Sequence, residues 1–352
     1  MPTQYLNNTE KKSNLIIFLT NECHLDCNYC YLQKPTLKKI VNLNYLKKIL
    51  KNGFENYDEI LIEFTNLHSS IFYLLKQIIL DIEYFSKIYE KNYNLSLQTN
   101  GVYLKDEIIE YLSYKNFSVG LSLDGPELIN DQARKFKNGK GTGKYILDVF
   151  NQLLKHNIKH LIRCTISRSN FNKPDELYDF YNKIGVERIV FNRQIDIGMG
   201  LVNRNKMLVN VEEYLNFQND FHLKIIKDKN WLLIDNYIEK WIYRIQNDSR
   251  GWIHFCSTNY CHNNNILVIL PEKNIYPCTR FVNGQTVKKH ELSEYIKNHC
   301  TNCIAYSYCS GGCPHGLNFN PNRLSDECKY TQWIFSFISE KLMHHLPSNW
   351  RN

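Results

Sequence analysis

The sequence predicts an α/β fold: a partial (β/α)6 barrel of the TIM type, then a small cysteine-rich domain and a C-terminal helix. Three observations predict it. Short apolar runs of strand length alternate with longer amphipathic segments from Leu15 to about residue 195. Eight of the twelve cysteines fall within 251–330, where periodicity fades. No internal repeat or low-complexity segment interrupts the order. Six strands with helices between them argue for a parallel sheet, because parallel neighbours need crossover connections. Pattern alone leaves a doubly wound sheet as the alternative.

The strands are expected at 15–20, 59–64, 93–99, 117–123, 159–167 and 187–193. Helices are expected near 42–52, 69–91, 104–114, 143–156 and 174–184, with a sixth near 211–227. This barrel, 1–227, leads into a bridging helix over 228–250 with an apolar set of Trp231, Ile234, Ile238, Trp241, Ile242 and Ile245. The remainder, 251–352, is the second domain. Its first part lacks the apolar periodicity of a large core and needs metal staples. Its last helix, about 331–345, is amphipathic and should dock back on the barrel.

Bulk properties narrow the function classes. A chain of 352 residues with 43% hydrophobic and 13% aromatic residues can bury a sizeable core. Charges break its longest apolar runs, so no stretch reads as a bilayer span. The N-terminal residues lack the basic and apolar regions of a signal peptide. A cytoplasmic protein with no membrane partner is expected. In that reducing compartment the cysteines read as metal ligands rather than disulfides. The net charge is +8, but the basic residues are scattered, which does not favour a nucleic acid partner.

Chemistry concentrates first in Cys23-His24-Leu25-Asp26-Cys27-Asn28-Tyr29-Cys30, directly after the first strand. Three thiolates leave one iron of a [4Fe-4S] cube open to a small-molecule ligand. Zinc normally takes four protein ligands, often in C-x2-C pairs, and is the competing reading. The second array is Cys300-x2-Cys303-x5-Cys309-x3-Cys313, followed by Cys328 and preceded by Cys256, Cys261 and Cys278. Together these eight suffice for two fully ligated clusters, although C-x2-C also occurs in zinc ribbons. Cys164 is left over. Strand alternation puts it on the face of Ile162 and Ile166, as a small core residue beneath a helix.

C-x3-C-x2-C after an early strand resembles the cluster loop of radical SAM enzymes. The later array, downstream of it, is similar to their SPASM extension. Leu97-Gln98-Thr99-Asn100-Gly101 resembles the third-strand motif of that family. Leu121-Ser122-Leu123-Asp124-Gly125-Pro126, with Asn130-Asp131, Arg134 and Gly139-Lys140-Gly141-Thr142, resembles its fourth-strand pattern. The resemblance implies three [4Fe-4S] clusters and S-adenosylmethionine. Cys23, Cys27 and Cys30 would hold the SAM-binding cluster. Cys256, Cys261, Cys278 and Cys313 would hold the inner auxiliary cluster, and Cys300, Cys303, Cys309 and Cys328 the outer one. Ser122 and Arg134 would bind the SAM carboxylate, and Asn100 and Asp124, at neighbouring strand ends, would also bind the cofactor. Tyr29 and Ile195 would lie near the adenine.

Two departures stand out. The family's Gly-Gly-Glu-Pro after the second strand is replaced by Thr65-Asn66-Leu67-His68, so Thr65 and Asn66 are the expected substitutes toward the SAM ammonium. Sulfatase maturases carry an Asp after the third inner-cluster cysteine; here Thr279 stands there, with no useful basicity. Only about fourteen residues precede the first strand, so leader recognition is expected on the barrel or a separate protein.

The resemblance implies an oxidoreductase in which a 5'-deoxyadenosyl radical abstracts a side-chain hydrogen. The expected outcome is an oxidative crosslink in a ribosomally made precursor peptide, carbon–carbon and cyclophane-type, at an aromatic residue. The electron donor would be a flavodoxin or ferredoxin. An anaerobic sulfatase maturase and a thioether-forming maturase are the alternatives. A zinc or iron–sulfur binding or electron-transfer protein is the non-enzymatic one. The sequence names no catalytic base.

Overall fold

The computed structural model describes residues 12–32, 35, 37–247, 266–279, 295–309 and 325–350. Six parallel strands run in sequence order: β1 (Lys12–Phe18), β2 (Glu59–Thr65), β3 (Asn92–Thr99), β4 (Ser118–Ser122), β5 (His160–Ile166) and β6 (Ile189–Arg193). The crossovers carry α1 (Leu43–Asn56), α2 (Phe72–Tyr89), α3 (Asp106–Tyr114), then α4 (Glu127–Ala133) with α5 (Gly143–Lys155), and α6 (Pro174–Lys183). The sheet is thus a partial (β/α)6 barrel.

Alternation decides what each strand contributes. Ile60, Ile62 and Phe64 on β2, Leu121 on β4, and Ile162 and Ile166 on β5 are fully buried beneath the helices. Cys164 shares that face, is fully buried, and accepts from Asn170 Nδ2 at 3.7 Å. The opposite, concave face is polar. Glu63, Gln98, Ser122 and Arg163 lie on it. Arg163 Nη2 meets Glu63 Oε2 at 3.4 Å across two intervening strands, and Gln98 Nε2 donates to Ser122 Oγ at 3.2 Å. Gly120 permits this crossing: an added Cβ would sit 2.2 Å from Gln98 Oε1 and 3.2 Å from Arg163 Nε.

The sheet does not end at β1. β7 (Ile266–Ile269) pairs parallel with β1 on its free edge, and β8 (Ile275–Tyr276) pairs antiparallel with β7. Part of the cysteine-rich region therefore extends the barrel sheet. The apolar run Ile266-Leu267-Val268-Ile269 is its signal, obscured in the sequence by the cysteines on either side.

After β6, two short helices, α7 (Met199–Val202) and α8 (Arg204–Met207), lead to α9 (Val211–Asp228). Asn210 and Glu213 close its N-terminus as a capping box. The helix expected over 228–250 is broken. Lys229 takes a left-handed conformation, φ 54°, and ends α9. α10 (Asn236–Gln246) starts afresh at Asp235, whose side chain accepts from Tyr237 N at 2.7 Å. Further on lie α11 (Tyr306–Cys309) and α12 (Asp326–Phe337), the latter capped by Ser325 and continued by a π turn through Leu342. The C-terminal helix thus starts about five residues earlier than expected, because Ser325 Oγ accepts from Cys328 N.

Buried polar groups tie α9, α10, α12 and β6 together. Asp235 accepts from Phe191 N at 3.1 Å and from Gln218 Nε2 at 3.2 Å, and its own N–H donates to His222 Nε2 at 3.3 Å. Gln218 also reaches Tyr214 and Tyr330. Burial lowers the His222 pKa to about 4 and raises that of Asp235 to about 6. Acidification protonates His222 first in the unfolded chain, so its contribution to stability falls as pH drops from 6.5 toward 4. Acidification protonates Asp235 first in the folded chain, so its contribution rises. The two oppose each other between pH 7 and 5. His222→Gln removes only the first. Relative to the parent protein, its unfolding free energy should improve by about 2 kcal/mol on going from pH 7 to pH 5. Urea denaturation at both pH values checks this; an unchanged difference would show that His222 is not held neutral.

Candidate active site at the barrel mouth

The loop carrying Cys23, Cys27 and Cys30 leaves β1 at the C-terminal end of the sheet, where the crossover loops of such barrels place their chemistry. Its conformation is fixed from two sides. On one side it pairs with the segment after α4: Asp26 N donates to Lys135 O at 2.7 Å, Asn28 N to Ala133 O at 3.0 Å, and Lys137 N to His24 O at 3.4 Å. On the other, the segment after β6 closes on it. Met199 N donates to Cys30 O at 2.7 Å and Asn203 Nδ2 to Asn28 O at 2.8 Å. Gly198 allows that approach. Its φ is +56°, and a Cβ there would lie 2.4 Å from Tyr31 O. The two glycines in Ile195-Asp196-Ile197-Gly198-Met199-Gly200 were the available signal for this clasp; sequence reasoning missed it.

The three thiols suit an iron cluster. Burial pushes Cys27 up to about 12, with Cys30 and Cys23 adding to the shift, and raises Cys30 as well. As free thiols Cys27 and Cys30 would stay protonated, so ionising them calls for a cationic centre. Donors already point at Cys23 Sγ: Leu25 N at 3.5 Å and Asn100 Nδ2 at 3.6 Å. Among the described residues no three His, Cys, Asp or Glu side chains are placed to hold a single ion.

Behind the loop lies a buried triad. Tyr29 OH donates to Asp124 Oδ2, and Arg134 Nη1 donates to Tyr29 OH at 2.7 Å while standing 3.9 Å from Asp124 Oδ2. Tyr29, Asp124 and Arg134 are 8%, 2% and 6% exposed. Asp124 Oδ1 accepts from Thr165 N at 2.9 Å. Burial raises the Asp124 pKa, opposed by Arg134; burial and Asp124 raise that of Tyr29 well above its ordinary value. The motif residues therefore anchor the cysteine loop to β4 and β5. Expected as a free cation for a carboxylate, Arg134 is found with Nη1 engaged inside the protein, although its Nε has no protein partner among the described residues. Tyr29, expected beside the adenine, has its hydroxyl in the same triad. Asn130 and Asp131 serve the fold: Asp131 Oδ1 accepts from Thr142 N and Gly143 N, at 2.8 and 2.7 Å, and starts α5.

Ser122 lies on the concave face two residues before Asp124. Ile195 is half-buried beyond β6. Asn66 takes φ 60°, a conformation glycine favours and asparagine tolerates, and its Nδ2 donates to Thr20 O at 3.0 Å. The turn after β2 thus survives the loss of its glycines. Thr65 is buried beside it, and its carbonyl accepts from Leu19 N at 3.1 Å. His68 packs edge-on against His24, centroids 4.9 Å apart, next to Cys23.

Far from this loop in sequence, Cys300, Cys303, Cys309 and Cys328 line one cavity together with Thr331 and Gln332. Burial raises the Cys300 pKa to about 11, with Cys328 and Cys303 adding to it. Tyr295 OH donates to Cys328 Sγ at 3.0 Å and Gln332 Nε2 to Cys303 Sγ at 3.6 Å. The residues expected to form the outer auxiliary site are thus gathered from two segments. Of the inner set, Cys278 follows β8; desolvation raises the pKa of the half-buried Tyr31, and Cys30 and Cys278 add to the shift. Cys256, Cys261 and Cys313 lie outside the described residues.

The triad makes a stability prediction. Arg134→Met leaves Asp124 buried without its cation and should cost about 3–5 kcal/mol. Adding Asp124→Asn should recover part of the loss. Urea denaturation of the two variants checks this; equal stability of Arg134→Met and parent would show that the triad does not hold the loop.

Comparison with known proteins agrees with this geometry. Residues 17–181 match the model of the radical SAM superfamily. A cysteine-type anaerobic sulfatase-maturating enzyme of Clostridium novyi is 23% identical over 374 residues, covering 94% of this chain and 96% of that protein. An uncharacterized protein of Synechocystis is 25% identical over 224 residues, covering 59% of this chain and 55% of that protein. Among solved structures, native anSMEcpe with bound AdoMet and Kp18Cys peptide superposes with TM-score 0.78 at 18% identity, covering 95% of this chain and 98% of that one. Streptococcus suis SuiB bound to precursor peptide SuiA gives 0.60 at 15% identity, covering 80% and 62%. At these identities the structural matches show the fold. The superfamily match takes in the end of β1, β2 to β5, the cysteine loop and the triad built above, so residues 17–181 form a radical SAM domain, and the protein is an enzyme of the kind that uses a [4Fe-4S] cluster and S-adenosylmethionine.

Proposed function

We propose that this enzyme modifies a peptide oxidatively and belongs, in kind, with the sulfatase and peptide maturases. The observation that carries this reading is the pair of cysteine sites on one chain. One is the three-cysteine loop at the barrel mouth; the other is the four-cysteine cavity formed by α11, α12 and the residues before them. A cluster with an open iron, once it holds S-adenosylmethionine, supplies a radical able to take a hydrogen atom from carbon. Closed four-cysteine sites serve instead to carry an electron away. That combination suits a net oxidation better than a redox-neutral rearrangement. The similarity to the Clostridium novyi maturase over 94% of the chain, and the peptide-bound anSMEcpe and SuiB structures, support a peptide substrate.

The chain's own residues suit the task. The polar concave face, with Glu63, Ser122 and Arg163, offers hydrogen-bonding groups beside the cysteine loop. Ser122, Arg134 through its buried, unpartnered Nε, Thr65, Asn66 and Asn100 are the candidates to orient S-adenosylmethionine. Tyr29 and Asp124 act through the loop they hold.

For the bond made, we favour a carbon–carbon crosslink at an aromatic residue of a precursor peptide, of cyclophane type. Thr279 occupies the position after Cys278 where sulfatase maturases resemble one another in carrying an acid, and threonine cannot serve as that base. The whole-length similarity to sulfatase maturases keeps formylglycine formation as the second reading.

Two measurements test these claims. Anaerobically purified protein should contain about twelve irons, three cubes of four, and Cys328→Ala should lower this by about four. Zinc without iron would sink the enzyme reading. Coexpression with a neighbouring small peptide should remove two hydrogens per crosslink, with tandem mass spectra showing two residues joined and no hydrazide-reactive aldehyde. An aldehyde on a sulfatase peptide would select the second reading.

A further inference from the structure

The cysteine loop is overlaid by a strongly basic hairpin. Residues 135–144 read Lys-Phe-Lys-Asn-Gly-Lys-Gly-Thr-Gly-Lys, four lysines and no acid. The hairpin closes through the Lys135–Gly141 bridge and lies directly on the loop through the Leu25–Phe136 bridge. Lys137, Lys140 and Lys144 are exposed and form no ion pair among the described residues. Of the two acids four residues from the hairpin in sequence, Asp131 is turned inward onto the N–H groups of Thr142 and Gly143, and Asp148 is exposed on α5, one turn beyond Lys144. Lys38 and Lys39 are exposed on the facing segment, which is bonded to the root of the same loop through Lys39 O and Thr20 Oγ1 at 2.8 Å. Lys38 pairs with Glu22.

Between these lysines an aromatic file reaches the surface. His24, beside Cys23, packs on Tyr103 with centroids 4.7 Å apart; Tyr103 packs on Phe136 at 5.9 Å, and Phe136 on Tyr145 at 5.4 Å. Tyr103 and Tyr145 are 50% and 54% exposed. The file gives an arriving protein apolar contact close to the cysteines, within a basic rim.

We propose that this face, centred on Lys137, Lys140 and Lys144 with Tyr103 and Tyr145, is the docking surface for an acidic one-electron carrier protein that reduces the cluster at Cys23, Cys27 and Cys30. The occupant follows from position and sign. The reductant must approach the three-cysteine loop, and this basic surface lies on it. Opposite charge raises encounter rates and fixes orientation. In the step itself a donor flavin hydroquinone becomes the semiquinone, and the cluster accepts that one electron; no bond is made or broken. The proposal rests on the cluster at these cysteines, not on which bond the enzyme makes in its substrate.

The test uses the triple variant Lys137→Glu/Lys140→Glu/Lys144→Glu, with the neutral triple glutamine variant as a milder companion. The probe is an acidic flavodoxin. Its oxidised form measures affinity by flavin anisotropy, and its hydroquinone measures the rate at which the cluster's visible absorbance bleaches. Photoreduced deazariboflavin, an uncharged reductant, reports the cluster independently. The charge-reversed variant should bind flavodoxin at least about tenfold more weakly at low salt and be reduced by it correspondingly slowly. The glutamine variant should fall between. Both should bleach with deazariboflavin as the parent does. Added salt should slow the parent's reduction and leave the charge-reversed variant nearly unaffected. Parent-like binding and salt dependence in both variants would overturn the proposal. So would unchanged flavodoxin reduction with lost affinity for an acidic peptide, which would assign the face to the substrate. A parent protein without visible absorbance bleached by deazariboflavin would instead sink the cluster itself.

Discussion

The Asp124 carboxylate is the constraint on which the rest of the site depends. One oxygen accepts from the backbone of β5 through Thr165 N, and the other meets Tyr29 OH with Arg134 beyond it. Its backbone carbonyl accepts from Asn170 Nδ2 at 3.0 Å. One nearly inaccessible acid thus joins β4, β5, the cysteine loop and the segment after α4. A carboxylate in that position is costly unless its charge is answered. Arg134 and two hydrogen-bond donors answer it. Three cysteines need fixed relative positions to share a cluster, and a loop of eight residues has little rigidity of its own. The triad supplies rigidity from behind, and Met199 and Asn203 supply it from the side.

This casts the motif residues in two parts. Tyr29, Asp124, Asn130 and Asp131 shape the protein, and their side chains are turned inward. Ser122, Gln98, Glu63 and Arg163 occupy the concave face. Strand alternation separates the groups only partly, because Asp124 follows Ser122 on the same face and is covered by the loop. Spacing in a motif tells which residues go together, not which of them meet a ligand.

The barrel was legible because its strands bury one face under helices, and the period-two pattern of Ile60, Ile62 and Phe64 cannot be kept by a helix. The left-over Cys164 was legible for the same reason. The gathering of Cys300, Cys303, Cys309 and Cys328 was anticipated from their resemblance to a known array, not from periodicity. Three features were hidden. β7 is only four residues long and becomes a strand by pairing with the open edge of β1. The break at Lys229 depends on a left-handed residue with no glycine to announce it. The inward turn of Arg134 depends on Asp124 and Tyr29, distant in sequence and opposite in what they contribute.

The turn after β2 shows how much local chemistry can change while geometry persists. Two glycines are absent there, yet Asn66 keeps a left-handed backbone and ties it to Thr20 O. Asparagine accepts that conformation at lower cost than most residues, because its short amide bonds locally. The neighbouring substitution does more than preserve a turn. His68 is buried, bonded through Nδ1 to Ser70 Oγ at 2.8 Å, and stacked edge-on with His24 beside Cys23. A large ring now fills space at the edge of the cysteine loop, and it continues the aromatic file that runs through Tyr103 toward the surface. The segment Thr65-Asn66-Leu67-His68 is therefore a packed wall, and it links the end of β2 to the first cysteine through His24.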